Sequence, residues 1–257
     1  MTDRLQGKVA IVTGSTQGIG AAVARLFVAE GARVVLNSDR DDEAAAAIGR
    51  ELGAAHSLFV QGDVADPAAM AELAARANEH FGRVDILINN AGINVFTDPL
   101  AMTQAEWRRC FAVDLEGAWN AIRACLPGML AQGGGSVVNI ASVHGHRIIP
   151  GTFPYPVAKH ALIGLTRSLG IEYAARGIRV NSISPGLILT EAAERWLASC
   201  PDPAAERARQ EGLLPGRRIG EPGEVAYTAL FLASDEARFI NATDILIDGG
   251  RSQMYHD

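Results

Sequence analysis

Three side chains in the middle of the chain could together move a proton. Tyr155 and Lys159 lie four residues apart, and Ser142 lies thirteen residues before the tyrosine. A phenol ionises at about pH 10, so it acts as a base near neutrality only where its surroundings favour the phenolate. In a helix, residues four positions apart share a face, which would bring the Lys159 ammonium close to the phenol and favour that anion. The same spacing also occurs in solvated surface pairs, so the rest of the chain must decide between the two interpretations.

The composition disfavours several classes of function. The 257 residues are 48% hydrophobic and 20% charged, with a net charge of -6, and the lysines and arginines form no basic stripe that would indicate a nucleic-acid partner. The chain has no apolar run of the ~18 residues that a membrane span needs and no basic-then-apolar leader, so we expect a cytoplasmic protein without a membrane segment. Cys110, Cys125 and Cys200 lack metal-ligand spacing, so we expect reduced thiols and no metal site.

Short apolar runs alternate with alanine-rich stretches along the chain. The runs predict strands over 8–13, 32–37, 56–61, 84–89, 136–141, 178–184 and 244–248. Because they are almost continuously apolar, they are typical of a parallel sheet covered on both faces. The stretches between them predict helices over 18–30, 41–52, 67–81, 103–131, 155–175 and 222–234. This order predicts a single doubly wound α/β domain of the Rossmann type over residues 1–257, with a seven-stranded parallel sheet.

One long segment interrupts the alternation. Residues 187–220 contain Pro201, Pro203 and Pro215 and follow the end of a predicted strand, with a short helical piece near 191–197. Loops at that end of the strands cover bound ligands in open α/β sheets. We therefore expect a substrate lid, with a plain surface excursion as the alternative.

A glycine-rich turn follows the first predicted strand. Gly14, Gly18 and Gly20 lie in TGSTQGIG at 13–20, where they would let the backbone turn tightly and approach a pyrophosphate at a helix N-terminus. Its place between a strand and a helix favours a dinucleotide site over a bare turn.

The end of the second predicted strand bears on the choice of dinucleotide. Asp39, which follows Ser38, could accept hydrogen bonds from both ribose hydroxyls and would repel a 2′-phosphate, whereas Arg40 could bind that phosphate. Gln17 occupies a position where a basic residue would clamp the phosphate. We therefore expect NAD, and Arg40 leaves NADP open.

Six ordered motifs resemble those of the short-chain dehydrogenase/reductase family along nearly the whole chain. They are TGSTQGIG at 13–20, the Asp63-Val64 pair, NNAG at 89–92, Ser142, YPVAK at 155–159 and PGLILT at 185–190. The resemblance implies an NAD(P)-dependent oxidoreductase in which Tyr155 exchanges a proton with the substrate, Ser142 orients the substrate oxygen, and Lys159 binds the ribose and tunes the tyrosine. It also implies a small-molecule substrate and a homotetramer.

The same resemblance implies the residues that contact the cofactor. Asp63 would bind the adenine amine, and Ile188 and Thr190 would meet the nicotinamide carboxamide. The full implied set is Gly14, Ser15, Gln17, Gly18, Ile19, Gly20, Ser38, Asp39, Asp63, Val64, Asn90, Ala91, Gly92, Tyr155, Lys159, Pro185, Gly186, Ile188 and Thr190.

One position departs from the family pattern. Asp114 stands in the stretch VDLEG at 113–117, where the family has asparagine as a fourth catalytic residue. An aspartate can keep the helix kink and the backbone carbonyl on which that role depends, and its charge could steady a protonated Lys159. We therefore include Asp114 among the catalytic residues.

The loop between Ser142 and Tyr155 favours a polar substrate. His144, His146 and Arg147 are potential donors there, and each could instead face solvent or a neighbouring subunit. Further expected substrate contacts are Asn94 and, in the lid, Trp196. The C-terminal residues could place Arg251, Tyr255 or His256 in a neighbouring pocket, or remain disordered.

These features lead to one leading hypothesis and two alternatives. The chain is similar to bacterial sugar and sugar-acid dehydrogenases, which implies hydride transfer from a secondary alcohol or hemiacetal carbon of a sugar, aldonic acid or keto-deoxy sugar acid. One alternative is an NADPH-dependent 3-oxoacyl reductase, which Asp39 and the net charge disfavour. The other is a non-catalytic nucleotide-binding redox sensor, which has no physical need for the set Ser142, Tyr155 and Lys159.

Overall fold

The computed structural model describes residues 3–40 and 43–255 and contains one seven-stranded sheet. Its strands are β1 (Val9–Thr13), β2 (Arg33–Ser38), β3 (Ser57–Gln61), β4 (Ile86–Asn89), β5 (Gly135–Ile140), β6 (Ile178–Pro185) and β7 (Asp244–Ile247). Their order is β3-β2-β1-β4-β5-β6-β7, and all six pairings are parallel. The predicted doubly wound fold is confirmed.

Helices connect these strands and cover both faces of the sheet. In the described residues they are α1 (Gly18–Ala29), α2 (Glu43–Leu52), α3 (Pro67–Phe81), α4 (Gln104–Phe111), α5 (Gly117–Ala131), α6 (Tyr155–Tyr173), α7 (Glu191–Ser199), α8 (Pro203–Gly212) and α9 (Pro222–Ala233). The helix predicted over 41–52 is seen from Glu43, and its first two positions lie outside the described residues. His256, named above for the C-terminal tail, lies outside them as well.

The central strands are apolar throughout because neither face of the sheet meets water. Val9 and Ile11 of β1 point into a core shared with α3 and α5, whereas Ala10 and Val12 point into a core shared with α1 and α9. Successive side chains of a strand alternate between faces, so a sheet covered on both sides needs apolar residues at every position. The two layers of helices therefore fix the sheet, and the sheet positions the loops at its ends.

The long helix predicted over 103–131 is two helices joined by a π-helical turn. α4 ends at Phe111, the π turn spans Ala112–Glu116, and α5 starts at Gly117. A π turn inserts one extra residue per turn and rotates the chain that follows, as is common beside functional sites. The apolar periodicity continues across the turn, which explains why the sequence pattern does not reveal it.

The segment 187–220 contains two helices, α7 and α8, where the sequence predicted one short helical piece. Asp202 caps α8, because its carboxylate accepts a hydrogen bond of 3.0 Å from the Ala205 N–H. Pro203 lies in the first turn of the helix, where a backbone N–H would have no partner within the helix, so its missing N–H costs no hydrogen bond. Leu197, Leu214 and Ile219 bury their side chains together beneath the two helices. The segment is therefore a folded cap with a small core of its own.

The order of the strands creates a crevice at the carboxyl ends of β1 and β4, in the middle of the sheet. The chain proceeds outward from β1 through β2 to β3, then returns to β4 on the other side of β1. Ligands of doubly wound sheets bind at the carboxyl ends of the strands beside such a reversal. Within the described part of the chain, no helix is long and apolar enough to cross a membrane.

Candidate functional site

The glycine loop after β1 is closed by contacts that leave no room for side chains. A Cβ atom at Gly20 would lie 2.2 Å from the Gly14 carbonyl oxygen and 2.5 Å from Nδ2 of Asn90. That amide of Asn90 donates hydrogen bonds to the carbonyl oxygens of Thr13 (3.0 Å) and Gly14 (2.8 Å). Gly14 and Gly18 adopt φ angles of +60° and +55°, which favour glycine. The loop is thus a backbone cradle that leads into α1.

A carboxylate already lies at the N-terminus of α1. The Gly18 N–H donates a 2.9 Å hydrogen bond to Oε2 of Glu191, the first residue of α7. The first N–H groups of a helix have no partner within it and bind anions. Glu191 therefore occupies, with its carboxylate, a helix N-terminal donor that a phosphate group could also use. The sequence offered no signal for this contact.

Residues 185–190 cross the crevice opposite the glycine loop. Pro185 ends β6, and a Cβ at Gly186 would lie 3.0 Å from the Asp248 backbone. Ile188 is buried, and Thr190 caps α7 by accepting a 3.2 Å hydrogen bond from the Ala193 N–H. The predicted nicotinamide contacts therefore lie across from the phosphate cradle.

The remaining predicted contacts near the cradle are held by short hydrogen bonds. The Ser15 hydroxyl accepts from the Asn37 N–H at 2.9 Å, which joins the glycine loop to β2. The Asn90 and Ala91 N–H groups donate to the Thr13 hydroxyl at 3.0 and 3.1 Å, which joins β4 to β1. Gln17 precedes α1 without capping it through its side chain, and Ile19 packs against the core.

The adenosine end of the crevice lies at the ends of β2 and β3. Ser38 ends β2, and the side chains of Asp39 and Arg40 are 50% and 78% exposed with 3.9 Å between them. Both are free to reach a ribose. The geometry alone therefore does not choose between the two dinucleotides.

Asp63 after β3 is held by a residue that sequence reasoning missed. Its Oδ2 accepts a 2.7 Å hydrogen bond from Arg109 of α4, and its Oδ1 accepts from the Ala65 N–H at 2.9 Å. Burial alone would raise the pKa of Asp63, but these two donors outweigh burial and hold that pKa below its usual value. The neighbouring Val64 is buried, and its carbonyl accepts from Asn120 at 3.0 Å. Arg109 belongs to no sequence motif. Its contact with Asp63 could not be read from the sequence, because only folding brings α4 close to the end of β3.

Tyr155 and Lys159 share one face of α6, as the spacing predicted. Tyr155 is the first residue of the helix, and Nζ of Lys159 lies 5.4 Å from the centroid of its ring. Nζ also donates a 3.3 Å hydrogen bond to the Ile140 carbonyl at the end of β5. The lysine is 3% exposed, so its charge acts through protein rather than through water. The interpretation as a solvated surface pair does not fit this burial.

Asp114 is brought to Lys159 by the π turn. Its Oδ1 lies 3.4 Å from Nζ of Lys159 and accepts a 3.1 Å hydrogen bond from the Ile93 N–H. A Cβ at Gly92 would lie 2.9 Å from that oxygen and 3.5 Å from Nζ, so only glycine fits there. Asp114 thus connects the loop after β4 with the catalytic helix.

The pKa values of Asp114 and Lys159 reflect both the burial of the two side chains and the attraction between their charges. Burial raises the pKa of Asp114, and the Lys159 charge opposes that rise. Burial would lower the pKa of Lys159, but the charges of Tyr155 and Asp114 outweigh burial and raise it. Cys110, 3.8 Å from Asp114, has its pKa raised to about 12 by burial and by that carboxylate, so it stays a thiol.

Ser142 bonds to His144, whose ring lies close to the Tyr155 ring. The Ser142 hydroxyl accepts a 3.1 Å hydrogen bond from the His144 N–H. The rings of His144 and Phe96 lie edge-on to Tyr155, with centroids 6.0 and 5.8 Å from its own. Nδ1 of His144 is buried and has no hydrogen-bond partner in the described residues. Burial lowers the pKa of His144, the Arg147 backbone opposes this, and the Arg251 charge adds to it.

His146 does not act as a free donor, contrary to the expectation from its position in the loop. Its Nε2 lies 2.7 Å from Oδ2 of Asp244, the buried first residue of β7. Asp244 also accepts from the hydroxyls of Ser182 (2.5 Å) and Ser184 (3.0 Å) on β6. The histidine therefore ties the loop after β5 to the edge of the sheet.

Three other predicted substrate residues lie at the surface. Asn94 and Arg147 are exposed, and neither side chain makes a hydrogen bond or ion pair within residues 3–40 and 43–255. Trp196 of α7 is 42% exposed, and its ring meets no other aromatic ring in that part of the chain. No hydrogen bond, ion pair or ring contact joins these three side chains to Tyr155 in the described residues, and their role as substrate contacts stays a prediction.

Comparison with known proteins finds relatives that match nearly the whole chain. A family model described as Enoyl-(Acyl carrier protein) reductase matches residues 14–252. Oxidoreductase UcpA of Escherichia coli strain K12 is 39% identical over 251 residues, which are 96% of this chain and 95% of that protein. D-threitol dehydrogenase of Mycolicibacterium smegmatis is 38% identical over 251 residues, which are 96% of this chain and 94% of the relative.

The similarity extends to solved structures. Ligand-free aldohexose dehydrogenase of Thermoplasma acidophilum matches with a TM-score of 0.90 and 35% identity, covering 100% of this chain and 98% of that chain. At this TM-score and coverage, the two chains share the fold.

Proposed function

The chain belongs to the short-chain dehydrogenase/reductase family, and on that premise we propose that it is an NAD-dependent dehydrogenase of a sugar, aldonic acid or keto-deoxy sugar acid. Members of this family are oxidoreductases that use NAD(P) and act on CH–OH groups. The observation that carries the proposal is the buried Lys159 ammonium, 5.4 Å from the centroid of the Tyr155 ring, with the His144 ring 6.0 Å from the same centroid and the His144 N–H bonded to Ser142.

Tyr155 is the acid and base of the proposed reaction. Its place at the N-terminus of α6 exposes it to the positive end of the helix dipole, and the buried Lys159 charge acts in the same direction. In the proposed reaction, the Tyr155 oxygen accepts the hydroxyl proton of the substrate during oxidation and returns a proton during reduction. Proton exchange with a well-placed side chain contributes about 10²- to 10⁴-fold to such rates.

Ser142 orients the substrate oxygen. Because its hydroxyl oxygen already accepts the His144 N–H, its own hydrogen is free to donate to the substrate. Lys159 uses one N–H on the Ile140 carbonyl and faces Asp114, which leaves a donor for the ribose. A dinucleotide held by the glycine cradle would supply, at its nicotinamide, the acceptor for the hydrogen that leaves the carbinol carbon.

NAD is the proposed cofactor because a carboxylate lies at the end of β2. Asp39 can accept hydrogen bonds from ribose hydroxyls and repels a 2′-phosphate. The Arg40 side chain is more exposed than that of Asp39 and lies 3.9 Å from it, so the Asp39 carboxylate partly neutralises its charge. The proposal predicts a higher kcat/KM for NAD than for NADP with the same alcohol.

The polar substrate class is supported by the relatives and by the pocket. Two similar proteins are named for D-threitol and aldohexose, both polyhydroxylated. The helices α7 and α8 form the proposed lid, with Trp196 on its surface and the exposed Asn94 and Arg147 as outer contacts. Exposed apolar residues on α5 and α6, among them Trp119 and Ile171, support pairing of subunits into a homotetramer.

A screen of substrates with a matched active-site variant tests the proposal. The wild-type protein and Tyr155→Phe are incubated with NAD or NADP and a panel of aldoses, alditols and aldonates, and the absorbance of the reduced nicotinamide is followed. We expect turnover by the wild type, about 10²- to 10⁴-fold less by Tyr155→Phe, and similar cofactor affinity for both. Equal rates for the two proteins would show that Tyr155 is not the acid and base.

A further inference from the structure

Phe96 is an exposed aromatic side chain that touches the proposed catalytic tyrosine. Its ring centroid lies 5.8 Å from that of Tyr155, with 84° between the two ring planes, which is the edge-to-face arrangement that aromatic pairs prefer. Phe96 is nevertheless 48% exposed. Exposed apolar residues are ordinary on a protein surface, but this one lies against the group that would exchange the proton.

The backbone holds Phe96 beside the start of α6. Phe96 pairs with Pro154 in a short antiparallel bridge, and the Thr97 N–H donates a 2.8 Å hydrogen bond to the Phe153 carbonyl. Pro154 directly precedes Tyr155, the first residue of α6. The backbone at Phe96 therefore cannot move away from Tyr155 unless these contacts break.

Helix α4 supports this pairing. The ring centroid of Trp107 in α4 lies 5.9 Å from that of Phe153. The Thr97 hydroxyl donates a 3.5 Å hydrogen bond to Glu106, whose carboxylate also accepts the Thr103 N–H at 2.8 Å at the start of α4. Because three segments of the chain meet here, the loop that carries Phe96 is already ordered, and a ligand binds there without the cost of ordering it.

A substrate that reaches Tyr155 also comes close to Phe96. Tyr155 is half-buried, so a hydroxyl group from solvent has access to it. Two rings contact Tyr155 in the described residues, and Phe96 is more exposed than the other, His144, which is half-buried. A molecule that brings its carbinol oxygen to Tyr155 therefore lies next to the exposed surface of Phe96.

A phenyl ring selects the shape of its ligand. It forms no ordinary hydrogen bond, so it gains from the apolar surface that a ligand removes from water. In a closed sugar ring, C–H groups gather on the faces and hydroxyls point outward around the rim, whereas an open-chain polyol carries hydroxyls along its whole length. An open chain must also lose the freedom of its rotatable bonds before it presents a flat face. The surface at Phe96 therefore favours the closed ring.

We propose that Phe96 determines specificity by packing against the C–H face of a closed-ring sugar, so that the enzyme prefers aldoses in their ring form to open-chain alditols. This inference rests on the function proposed above and narrows its substrate class. The hemiacetal carbon of such a ring loses a hydride to the nicotinamide, and its hydroxyl loses a proton to Tyr155, which leaves a lactone.

The test compares a ring with an open chain of equal carbon number. We measure kcat and KM for an aldohexose and for the matching hexitol with the wild type, Phe96→Ala and Phe96→Tyr. We expect the wild type to have the higher kcat/KM for the aldohexose. Phe96→Ala should raise the KM for the aldohexose about 10-fold with little change in kcat, and change the KM for the hexitol less than about 3-fold. Phe96→Tyr keeps the flat ring, so its KM for the aldohexose should stay within about 3-fold of the wild type.

Phe239→Ala is the matched control for the loss of a phenyl ring. Phe239 is fully exposed between α9 and β7, and its ring meets no other aromatic ring in the described part of the chain. We expect this variant to use both substrates as the wild type does. Phe96→Leu, which keeps an apolar side chain, takes the place of Phe96→Ala if the alanine variant does not fold, with the same expected direction. Equal kcat/KM for aldohexose and hexitol in the wild type, or an equal fall for both in the Phe96 variant, would overturn the proposal.

Binding without turnover separates this inference from the proposed function. Calorimetry measures the affinity of the aldohexose for the wild type and Phe96→Ala in the presence of NADH, which cannot accept a hydride. If no sugar is oxidised with NAD but the wild type binds the aldohexose about 10-fold more tightly than Phe96→Ala, the role of Phe96 stands and the proposed function fails. If sugars are oxidised but both proteins bind the aldohexose equally, or neither binds it, the proposed function stands and the role of Phe96 is overturned.

Discussion

The loops that follow β1 and β5 use their residues in opposite ways. In the first loop, residues 14–17, the backbone is held by Asn90 and Asn37 and is complete without a ligand. In the second, residues 141–154, Ile148 and Arg147 are exposed and Nδ1 of His144 is buried without a partner in the described residues. If the proposed function is correct, the cofactor meets preformed backbone geometry, whereas the substrate meets a few side chains whose bonding it completes.

Asp114 offers the test with the largest expected effect, because its carboxylate joins the loop after β4, through the Ile93 N–H, to Lys159 of α6. Asp114→Leu would leave the buried Lys159 with the Ile140 carbonyl but without a carboxylate. Breaking a buried ion pair costs about 3–5 kcal/mol, and we expect a loss of this size in the free energy of unfolding from urea titration at pH 7. Asp114→Asn keeps an acceptor and should lose less than half as much. A wild-type stability for Asp114→Leu would show that the loop after β4 and α6 do not depend on this ion pair.

The pH dependence of this loss has a defined sign. Folding raises the pKa of Lys159, so the stability contributed by its ammonium is present below the unfolded value of about 10.4 and is lost as pH rises through the higher folded value. Once Lys159 is deprotonated at high pH, the buried Asp114 carboxylate of the wild-type protein has no cation beside it. The stability difference between wild type and Asp114→Leu should therefore stay constant from pH 7 to about pH 10 and shrink only above that pH. A difference that grows with pH would contradict the proposed pairing.

Gly20→Ala tests whether the first loop depends on backbone geometry. The new methyl group would lie 2.2 Å from the Gly14 carbonyl oxygen, so the cradle must open. Overpacking of this kind costs about 1–3 kcal/mol, and if binding requires the unstrained cradle, this corresponds to a dissociation constant roughly 5- to 150-fold higher for the dinucleotide. Fluorescence titration measures this constant directly.

Gly49→Ala is the control for Gly20→Ala. Gly49 also lies in a helix, α2, but nothing stands within 4 Å of a Cβ there. We expect unchanged cofactor affinity and a gain of about 0.5–1 kcal/mol in stability, because alanine is less flexible in the unfolded chain. Equal affinity losses in both variants would show that the close packing at Gly20 does not matter.

The contrast between the loops also explains what the sequence could predict. The strands, their parallel order and the glycine cradle follow from apolar runs and from the places where only glycine fits, and both are local properties. The pairing of Tyr155 with Lys159 follows from helical spacing. Arg109, Glu191 and the His146–Asp244 contact could not be predicted, because each joins segments that only the folded chain brings together. The π turn was hidden because apolar periodicity continues through it.

His146→Ala tests whether the loop of residues 141–154 is held in place by its contact with Asp244 of β7. The variant removes the 2.7 Å contact with Asp244, which keeps its two serine partners. We expect a loss of about 1 kcal/mol in stability and a several-fold rise in substrate KM, with unchanged cofactor affinity. Ile148→Ala, on the exposed part of the same loop, should change neither quantity. Weaker cofactor binding in His146→Ala would contradict the separation of the two loops.

Glu191→Gln has the smallest expected effect and tests the only side-chain carboxylate that the described structure places on the cradle. Glu191 bonds to the Gly18 N–H at 2.9 Å, where an incoming phosphate would compete with it. Interactions of a charge with a helix N-terminus are worth about 0.3–1 kcal/mol, so removing the charge should tighten dinucleotide binding about two- to five-fold. Glu194→Gln, three residues later on α7, should leave the dissociation constant unchanged, because the Glu194 side chain is exposed and bonds to no group of the cradle. Weaker binding in Glu191→Gln would mean that the carboxylate organises the cradle instead of competing for it, and the first loop would then depend on a side chain as the second does.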